Sequence, residues 1–181
     1  MGKRSTFEKR PRDYWPTPED AVKPLAPHLG FRTKFIEPCA GNRQLVDTLE
    51  NMGHICTYAA DIEPKAPGIL AENALENIPK VYAGDYMITN PPWSRDFLHP
   101  FIEKWLGVRT NDGEDIPFWL LFDADWMHTK QSSELIRYCR AIVSVGRVKW
   151  VPDSTMTGKD NCAWYLFRGG TKGRPVFYGR T

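Results

Sequence analysis

Apolar residues in this chain fall into short runs that are separated by polar turns. Short apolar runs are typical of buried strands, and longer segments with apolar residues at a period near 3.6 are typical of helices. We predict strands within residues 34–42, 54–64, 85–90, 117–125, 141–151 and 161–169, and a short further strand within residues 69–75.

Helices are predicted between most of these strands. The segment after residue 42 carries apolar residues at helical spacing and stops at Gly53, which suits a helix end. Residues 96–107 and 132–140 also have helical patterns. A short helix to about residue 28 is expected to begin with Thr17 as its N-cap.

This alternation of strands and helices predicts a mostly parallel sheet with helices on both faces. The last two strands are joined by a short polar loop, which predicts an antiparallel pair at one edge of the sheet. No internal repeat or linker divides the sequence, so we expect one α/β domain at residues 14–181. Residues 1–13 are expected to form a mobile basic arm, with its charges on Lys3, Arg4, Lys9, Arg10 and Arg12.

The composition is that of a globular protein, with 41% hydrophobic and 13% aromatic residues, and the net charge of +2 is too small to indicate nucleic acid by itself. No apolar run reaches the roughly 18 residues of a membrane helix, and the N-terminus lacks the apolar stretch of a signal peptide. The four cysteines and four histidines are dispersed, which favours reduced thiols and no metal site. We therefore expect a cytoplasmic protein without a membrane partner.

Polar residues stand at the ends of four predicted strands, where ligands bind in open α/β sheets. The first is the turn EPCAGN at residues 37–42, in which Gly41 permits close approach to backbone amides. It is not a GxGxxG loop, and no P-loop lysine follows, so neither a dinucleotide nor a nucleoside triphosphate is the first expectation. Asp61 ends the second strand, where a carboxylate suits a ribose diol. The other two sites are residues 90–93 and the pair Asp123 and Asp125.

The stretch ITNPPWS ends a predicted buried strand with an asparagine, two prolines and a tryptophan. The Asn90 side chain offers an acceptor and a donor in one plane, and the Pro91 carbonyl adds an acceptor whose direction the diproline fixes. Two converging acceptors suit an amino group, and holding both N–H bonds favours the tetrahedral nitrogen whose lone pair can attack. Trp93 offers a flat face on which a base could stack.

These motifs resemble those of amino-group methyltransferases that use S-adenosylmethionine. DYMITNPPW is similar to their catalytic stretch, FIEPCAGN to their cofactor loop, and DYWPTP to a segment that closes over the methionine part of the cofactor. Over most of residues 13–168 the chain most resembles small phage-type DNA N6-adenine methyltransferases, through TNPPWSRDFLHPFI, WLLFDADWMHT and GRVKWVPDSTMTGKDNCAWYLF. The resemblance implies a single Rossmann-like class I methyltransferase domain.

The resemblance also implies S-adenosylmethionine as the cofactor and the N6 amine of adenine in DNA as the acceptor. Asn90 and Pro91 would orient the amine, Pro92 would complete the catalytic stretch, and a flipped base would stack on Trp93. Glu72 or Asn73 would lie nearest the adenine of the cofactor. The family's usual cofactor loop has a second glycine where this chain has Arg43. The residues implied to hold the cofactor are Tyr14, Thr17, Glu37, Cys39, Gly41 and Asp61.

DNA contacts would have to come from loops or from the charged termini, because we find no room for a separate target-recognition domain. The loops are residues 94–97, 123–130 and 152–161. Asp123 and Asp125 are interpreted as lining the target pocket, with a metal site as the alternative. Candidate contacts to nucleic acid are Arg95, Arg147, Lys149 and Lys159 for phosphates and Trp126 as a second stacking face, with a core position for Trp126 as the alternative.

Other functions remain open at this point. The same Asn-Pro-Pro-aromatic motif serves enzymes that methylate the guanine N2 amine in RNA or a glutamine side-chain amide in protein. Arg43 and the missing recognition domain also favour a non-catalytic module that binds nucleic acid or the cofactor.

Overall fold

The computed structural model describes residues 14–77, 84–110, 112–152, 155, 157–170 and 172–180. The expected basic arm at residues 1–13 and part of the predicted loop at residues 152–161 lie outside the described residues. The described strands are β1 (Lys34–Glu37), β2 (Ile55–Asp61), β3 (Leu70–Ala71), β4 (Tyr86–Thr89), β5 (Phe118–Asp123), β6 (Cys139–Arg147), β7 (Asn161–Phe167) and β8 (Val176–Tyr178).

These strands form one sheet in the order β3-β2-β1-β4-β5-β7-β6-β8. Strand β7 runs antiparallel to both β5 and β6, and the remaining pairs are parallel. The predicted mostly parallel α/β sheet and its antiparallel β6–β7 pair are therefore confirmed. The pattern did not predict β8, a three-residue strand that lies outside β6 and is exposed throughout.

Helices cover both faces of the sheet. The α-helices are α1 (Glu19–Val22), α2 (Gln44–Asn51) and α3 (Arg95–Leu106), and 3-10 turns occur at Lys23–His28, Ala124–His128, Lys130–Ser132 and Ile136–Tyr138. Strand β5 feeds both cores because its side chains alternate: Phe118, Leu120 and Phe122 pack with α3, whereas Trp119 and Leu121 pack with α1 and α2. None of the helices in the described ranges is long and apolar enough to cross a bilayer.

Two local predictions were wrong. Helix α1 begins at Glu19 after an extended Pro18, and the predicted N-cap Thr17 makes no capping bond to it. Residues 132–140 form turns rather than an α-helix, and β6 already begins at Cys139, whose backbone pairs with Phe167. Pairing with β7 draws the end of that pattern into the sheet, and the remaining residues are too few for a stable helix.

The chain reverses its direction of winding between β1 and β4. Strands β2 and β3 lie on one side of β1, and β4 and β5 lie on the other, so a crevice forms at the carboxyl ends of β1 and β4. The buried Trp164 indole of β7 donates a hydrogen bond to the Ala21 carbonyl of α1 at 2.7 Å. This bond fastens α1 to the sheet and so holds the preceding residues 14–18 near the crevice.

Candidate functional site

A cavity of about 260 Å³ opens in this crevice. Its wall includes Asn90 and Pro92 from the end of β4. All six predicted cofactor residues also line it: Tyr14, Thr17, Glu37, Cys39, Gly41 and Asp61. The structure therefore brings the predicted cofactor residues and two of the predicted catalytic residues to one site.

The β1–α2 loop is held in a tight turn by Asp61. Asp61 Oδ2 accepts a hydrogen bond from the Gly41 amide at 2.8 Å, and Oδ1 accepts one from the Glu63 amide at 2.8 Å. Gly41 has φ of +51°, a conformation that favours glycine. Each carboxylate oxygen has a further lone pair, so Asp61 retains the capacity to accept hydrogen bonds from a ligand in the cavity.

Arg43 occupies the left-handed conformation that a glycine would adopt most easily, with φ of +74°. Its guanidinium lies along α2, where Nε is 2.8 Å from Asp47 Oδ1 and a terminal nitrogen pairs with Glu50. Arg43 does not line the cavity. Arg43, which stands where the resembled cofactor loops have a second glycine, therefore does not obstruct the cavity.

Glu37 is a fully buried carboxyl in the cavity wall. Its Oε1 accepts hydrogen bonds from the Thr89 hydroxyl and from the Cys39 amide at 3.3 Å, whereas Oε2 has no partner among the described residues. Burial raises the pKa of Glu37 to about 8, and it also raises the pKa of the Cys39 thiol. A buried oxygen without a partner is costly unless a ligand supplies a donor, so Glu37 suits an amino group.

The Asn90 side chain is hydrogen-bonded at both ends. Its Nδ2 donates to Thr17 Oγ1 at 3.0 Å and to the Trp15 carbonyl at 3.4 Å, and its Oδ1 accepts from Trp93 Nε1 at 3.0 Å. The half-buried Trp93 ring packs edge to face on Trp150, with ring centroids 5.6 Å apart. Thr17 is thus a buried partner of the amide rather than a helix cap.

A second, smaller cavity of about 50 Å³ lies beside Trp93, towards the end of β5. Trp126 lines it but is only 4% exposed, and its indole donates to His99 Nε2 at 2.9 Å. The ring packs edge to face on Phe122 and Tyr165. Of the two roles considered for Trp126, the second stacking face is therefore corrected in favour of the core position, because the core already covers this ring.

The acidic pair after β5 is arranged as a turn. Asp123 Oδ1 accepts a hydrogen bond from the Asp125 amide at 2.9 Å, and Asp123 lines the smaller cavity, whereas Asp125 lines neither cavity. Partial burial raises the pKa of Asp123, and Asp125 and Asp160 nearby contribute to the shift. Within the described ranges, no three or more His, Cys, Asp or Glu side chains gather in a way that could hold a metal ion.

The four predicted phosphate contacts are exposed and lie at the end of the sheet where the parallel strands finish. Arg95 follows β4, and Arg147 and Lys149 stand at and just after the carboxyl end of β6. Lys159 precedes β7, which runs antiparallel to β6 and therefore starts at the end of the sheet where β6 finishes. Asn90 also lies at this end of the sheet, so the four positive charges and the candidate site share it.

Sequence reasoning missed several residues of the larger cavity. Lys65 lines it, with its amine 5.2 Å from the centre of the Tyr14 ring and 3.0 Å from Glu63 Oε1. Of the two residues that the resemblance put nearest the adenine of the cofactor, Asn73 lines the cavity, whereas Glu72 accepts a hydrogen bond from the Tyr58 hydroxyl at 2.6 Å. No local motif distinguishes these neighbours, because both follow the same short strand.

Comparisons with known proteins identify the fold but no sequence family. No protein-family model and no curated protein matches the sequence. A provisionally assigned class I S-adenosylmethionine-dependent methyltransferase from Listeria monocytogenes matches 88% of this chain at 10% identity and a TM-score of 0.52. This chain covers 62% of that protein, which is less than two thirds of its length.

Two further structures match over nearly their whole length. A provisionally assigned RNA methyltransferase from Pyrococcus horikoshii has 16% identity and a TM-score of 0.53, with 92% of this chain and 93% of that chain covered. A provisionally assigned hemolysin from Lactococcus lactis has 7% identity and a TM-score of 0.59, with 90% and 91% covered. At these identities the likeness concerns the fold alone, and it confirms the predicted Rossmann-like class I methyltransferase architecture.

Proposed function

We propose that this protein is an S-adenosylmethionine-dependent methyltransferase that acts on the N6 amine of adenine in DNA. The observation that carries this proposal is the shared cavity. Asn90 and Pro92 lie in one wall with Glu37, Gly41 and Asp61, so a cofactor held by the β1–α2 loop would lie beside the amide that receives the amine.

The cavity residues fit the chemistry of this cofactor. Glu37 Oε2, which is buried without a partner, suits the ammonium of the amino-acid part, and the Asp61 carboxylate suits the ribose hydroxyls. Gly41 lets the β1–α2 loop come close to a ligand in the cavity, and Tyr14 and Thr17 line the cavity from the N-terminal segment. When bound, S-adenosylmethionine would supply a methyl group that its sulfonium centre has already activated.

The chain's own residues would bind and orient the acceptor. Asn90 Oδ1 and the Pro91 carbonyl accept hydrogen bonds from the two N–H groups of the amine. These two bonds direct the lone pair of the nitrogen, and the proton of the methylated amine leaves later to solvent. Trp93 provides the face on which the base stacks once it has left the duplex, at a cost of a few kcal/mol. Most of the rate gain then comes from positioning. Arg95, Arg147, Lys149 and Lys159 would hold phosphates of the DNA backbone.

An amine in RNA is the second candidate acceptor. It is favoured by the Pyrococcus horikoshii structure, which is described as an RNA methyltransferase and matches nearly the whole chain. The hydrogen-bonding device at Asn90 is the same for both acceptors, so the chemistry of the site does not separate them.

Label transfer with product identification tests the proposal. The purified protein is incubated with methyl-labelled S-adenosylmethionine and unmethylated DNA, RNA or protein, and the labelled products are digested and identified by mass. We expect N6-methyladenine from DNA. Label in guanine N2 of RNA or in glutamine would contradict the adenine assignment and keep the methyltransferase. No label in any acceptor, together with no cofactor binding by calorimetry at millimolar concentration, would support a non-catalytic module instead.

A further inference from the structure

We propose that Thr17 and Trp93 are positioning residues that fix the orientation of the Asn90 amide, an inference that rests on the proposed methyl transfer. An asparagine amide can turn over and exchange its oxygen and nitrogen with little change in shape. Only one orientation presents an acceptor to a substrate amine. The surroundings of Asn90 select that orientation from both sides.

The chemistry of the partners determines which end of the amide faces each of them. An indole nitrogen is only a donor, so the atom 3.0 Å from Trp93 Nε1 must be Oδ1 of Asn90. A backbone carbonyl is only an acceptor, so the Trp15 oxygen requires Nδ2 on its side, where the Thr17 hydroxyl also lies. The reversed amide would set N–H against N–H and oxygen against oxygen.

The hydrogen bond from Trp93 leaves Asn90 Oδ1 able to accept a second hydrogen bond. A carbonyl oxygen has two lone pairs, so Oδ1 can accept from the indole and from a substrate amine together. A reversed amide would direct two N–H donors at the amine and repel it. Trp93 therefore has a role beyond stacking, because its N–H keeps Oδ1 in the acceptor position.

The ring of Trp93 is itself held in place. It packs edge to face on Trp150, and Trp150 packs so closely on Gly158 that a Cβ there would lie 2.9 Å from the indole. Thr17 lines the cofactor cavity. The orientation of Asn90 thus depends both on the segment that covers the cofactor and on the β6–β7 connection.

Two pairs of variants separate orientation from folding and stacking. Thr17→Val removes the hydroxyl and keeps the shape, whereas Thr17→Ser keeps the hydroxyl. Trp93→Phe keeps an aromatic face and removes the N–H. Its control is Trp119→Phe, a buried indole whose N–H has no partner among the described residues and which lines neither cavity.

Single-turnover methyl transfer with saturating cofactor and acceptor gives the main measurement. We expect Thr17→Val and Trp93→Phe each to slow transfer about tenfold, the loss typical of one hydrogen bond, with cofactor Kd and acceptor KM within about threefold of wild type. Thr17→Ser keeps the hydroxyl and should slow transfer clearly less than Thr17→Val does, and Trp119→Phe should retain the wild-type rate. An unchanged or faster rate for Trp93→Phe, or equal loss in Thr17→Ser and Thr17→Val, would overturn the positioning role.

Hydrogen exchange of the Trp93 indole N–H, followed by NMR, examines the network without relying on activity. We expect slow exchange in the wild type and faster exchange in Asn90→Ala. Equal exchange rates would overturn the inference even if the enzyme transfers methyl groups. A wild type that transfers no label would overturn the proposed function and the catalytic role of the network, and slow exchange would then identify the network as purely structural.

Discussion

The Tyr14 ring lies directly on Gly41: a Cβ at Gly41 would come within 2.6 Å of Tyr14 Cε2. This contact closes the N-terminal segment over the β1–α2 loop, so the cavity has its shape only with a glycine at this position. The positive φ of Gly41 adds a second reason, since an L side chain is strained there.

Gly41→Ala should therefore weaken cofactor binding more than it weakens folding. We expect at least about a tenfold rise in the S-adenosylmethionine Kd by calorimetry, because the new methyl group displaces Tyr14, and about 1–2 kcal/mol loss of stability from the strained φ. Gly53→Ala is the control, since Gly53 also has a positive φ but a Cβ there would meet nothing within 4 Å. Equal effects on Kd in both variants would contradict a specific Gly41–Tyr14 contact.

Glu37 should make the stability of the cofactor-free protein fall with rising pH. Its pKa is about 8 in the folded protein and near the ordinary 4.5 in the unfolded chain, so between these values the folded state retains a proton that the unfolded state has released. The stabilisation is complete below about pH 4.5 and is lost as pH rises through about 8. Urea unfolding across this range should show the decline in the wild type and a flatter curve in Glu37→Gln. Parallel curves would contradict the raised pKa.

Arg43→Gly should leave cofactor binding unchanged. The substitution relieves about 1 kcal/mol of left-handed strain and removes partly exposed ion pairs to Asp47 and Glu50 that contribute less than about 1 kcal/mol each. We expect the free energy of unfolding to change by less than about 1 kcal/mol and the S-adenosylmethionine Kd to stay within about twofold. A large gain in affinity would indicate that Arg43 obstructs the cofactor.

Removal of a positive charge near the site should weaken nucleic-acid binding without changing its sequence preference. For Lys149→Ala or Lys159→Ala we expect the slope of log K against log salt to decrease in magnitude by about 1. Lys34→Ala is the control, because the exposed Lys34 begins β1 and so lies at the opposite end of the sheet. An equal effect of Lys34 would show that the charges act only through net charge.

The sheet and the edge that carries the site were predictable because both depend on local pattern. The five apolar residues Phe118–Phe122 predict a strand buried on both faces, and β5 is that strand. The carboxyl ends of parallel strands lie at the same end of a sheet, so the polar residues at those ends come together, as Glu37, Asp61 and Asn90 do.

The partners within the site could not be predicted in this way. Thr17 and Asn90 are separated by 73 positions in the sequence, and an N-cap was the better local reading of a threonine before Pro-Glu. Trp126 follows the strand-end acids Asp123 and Asp125, and this local pattern left a stacking face and a core position both open, yet its ring fills a gap among Phe122, Tyr165 and Phe167. Such contacts depend on tertiary packing and leave no periodic signal in the chain.

Comparison of wild type with Asn90→Ala tests the central claim most directly. Both proteins are assayed for label transfer from S-adenosylmethionine to unmethylated DNA and for cofactor binding by calorimetry. The account predicts N6-methyladenine from the wild type, at least about a thousandfold slower transfer by Asn90→Ala because the oriented acceptor is lost, and cofactor Kd values within about threefold of each other. Transfer by Asn90→Ala at a rate near that of the wild type would contradict it.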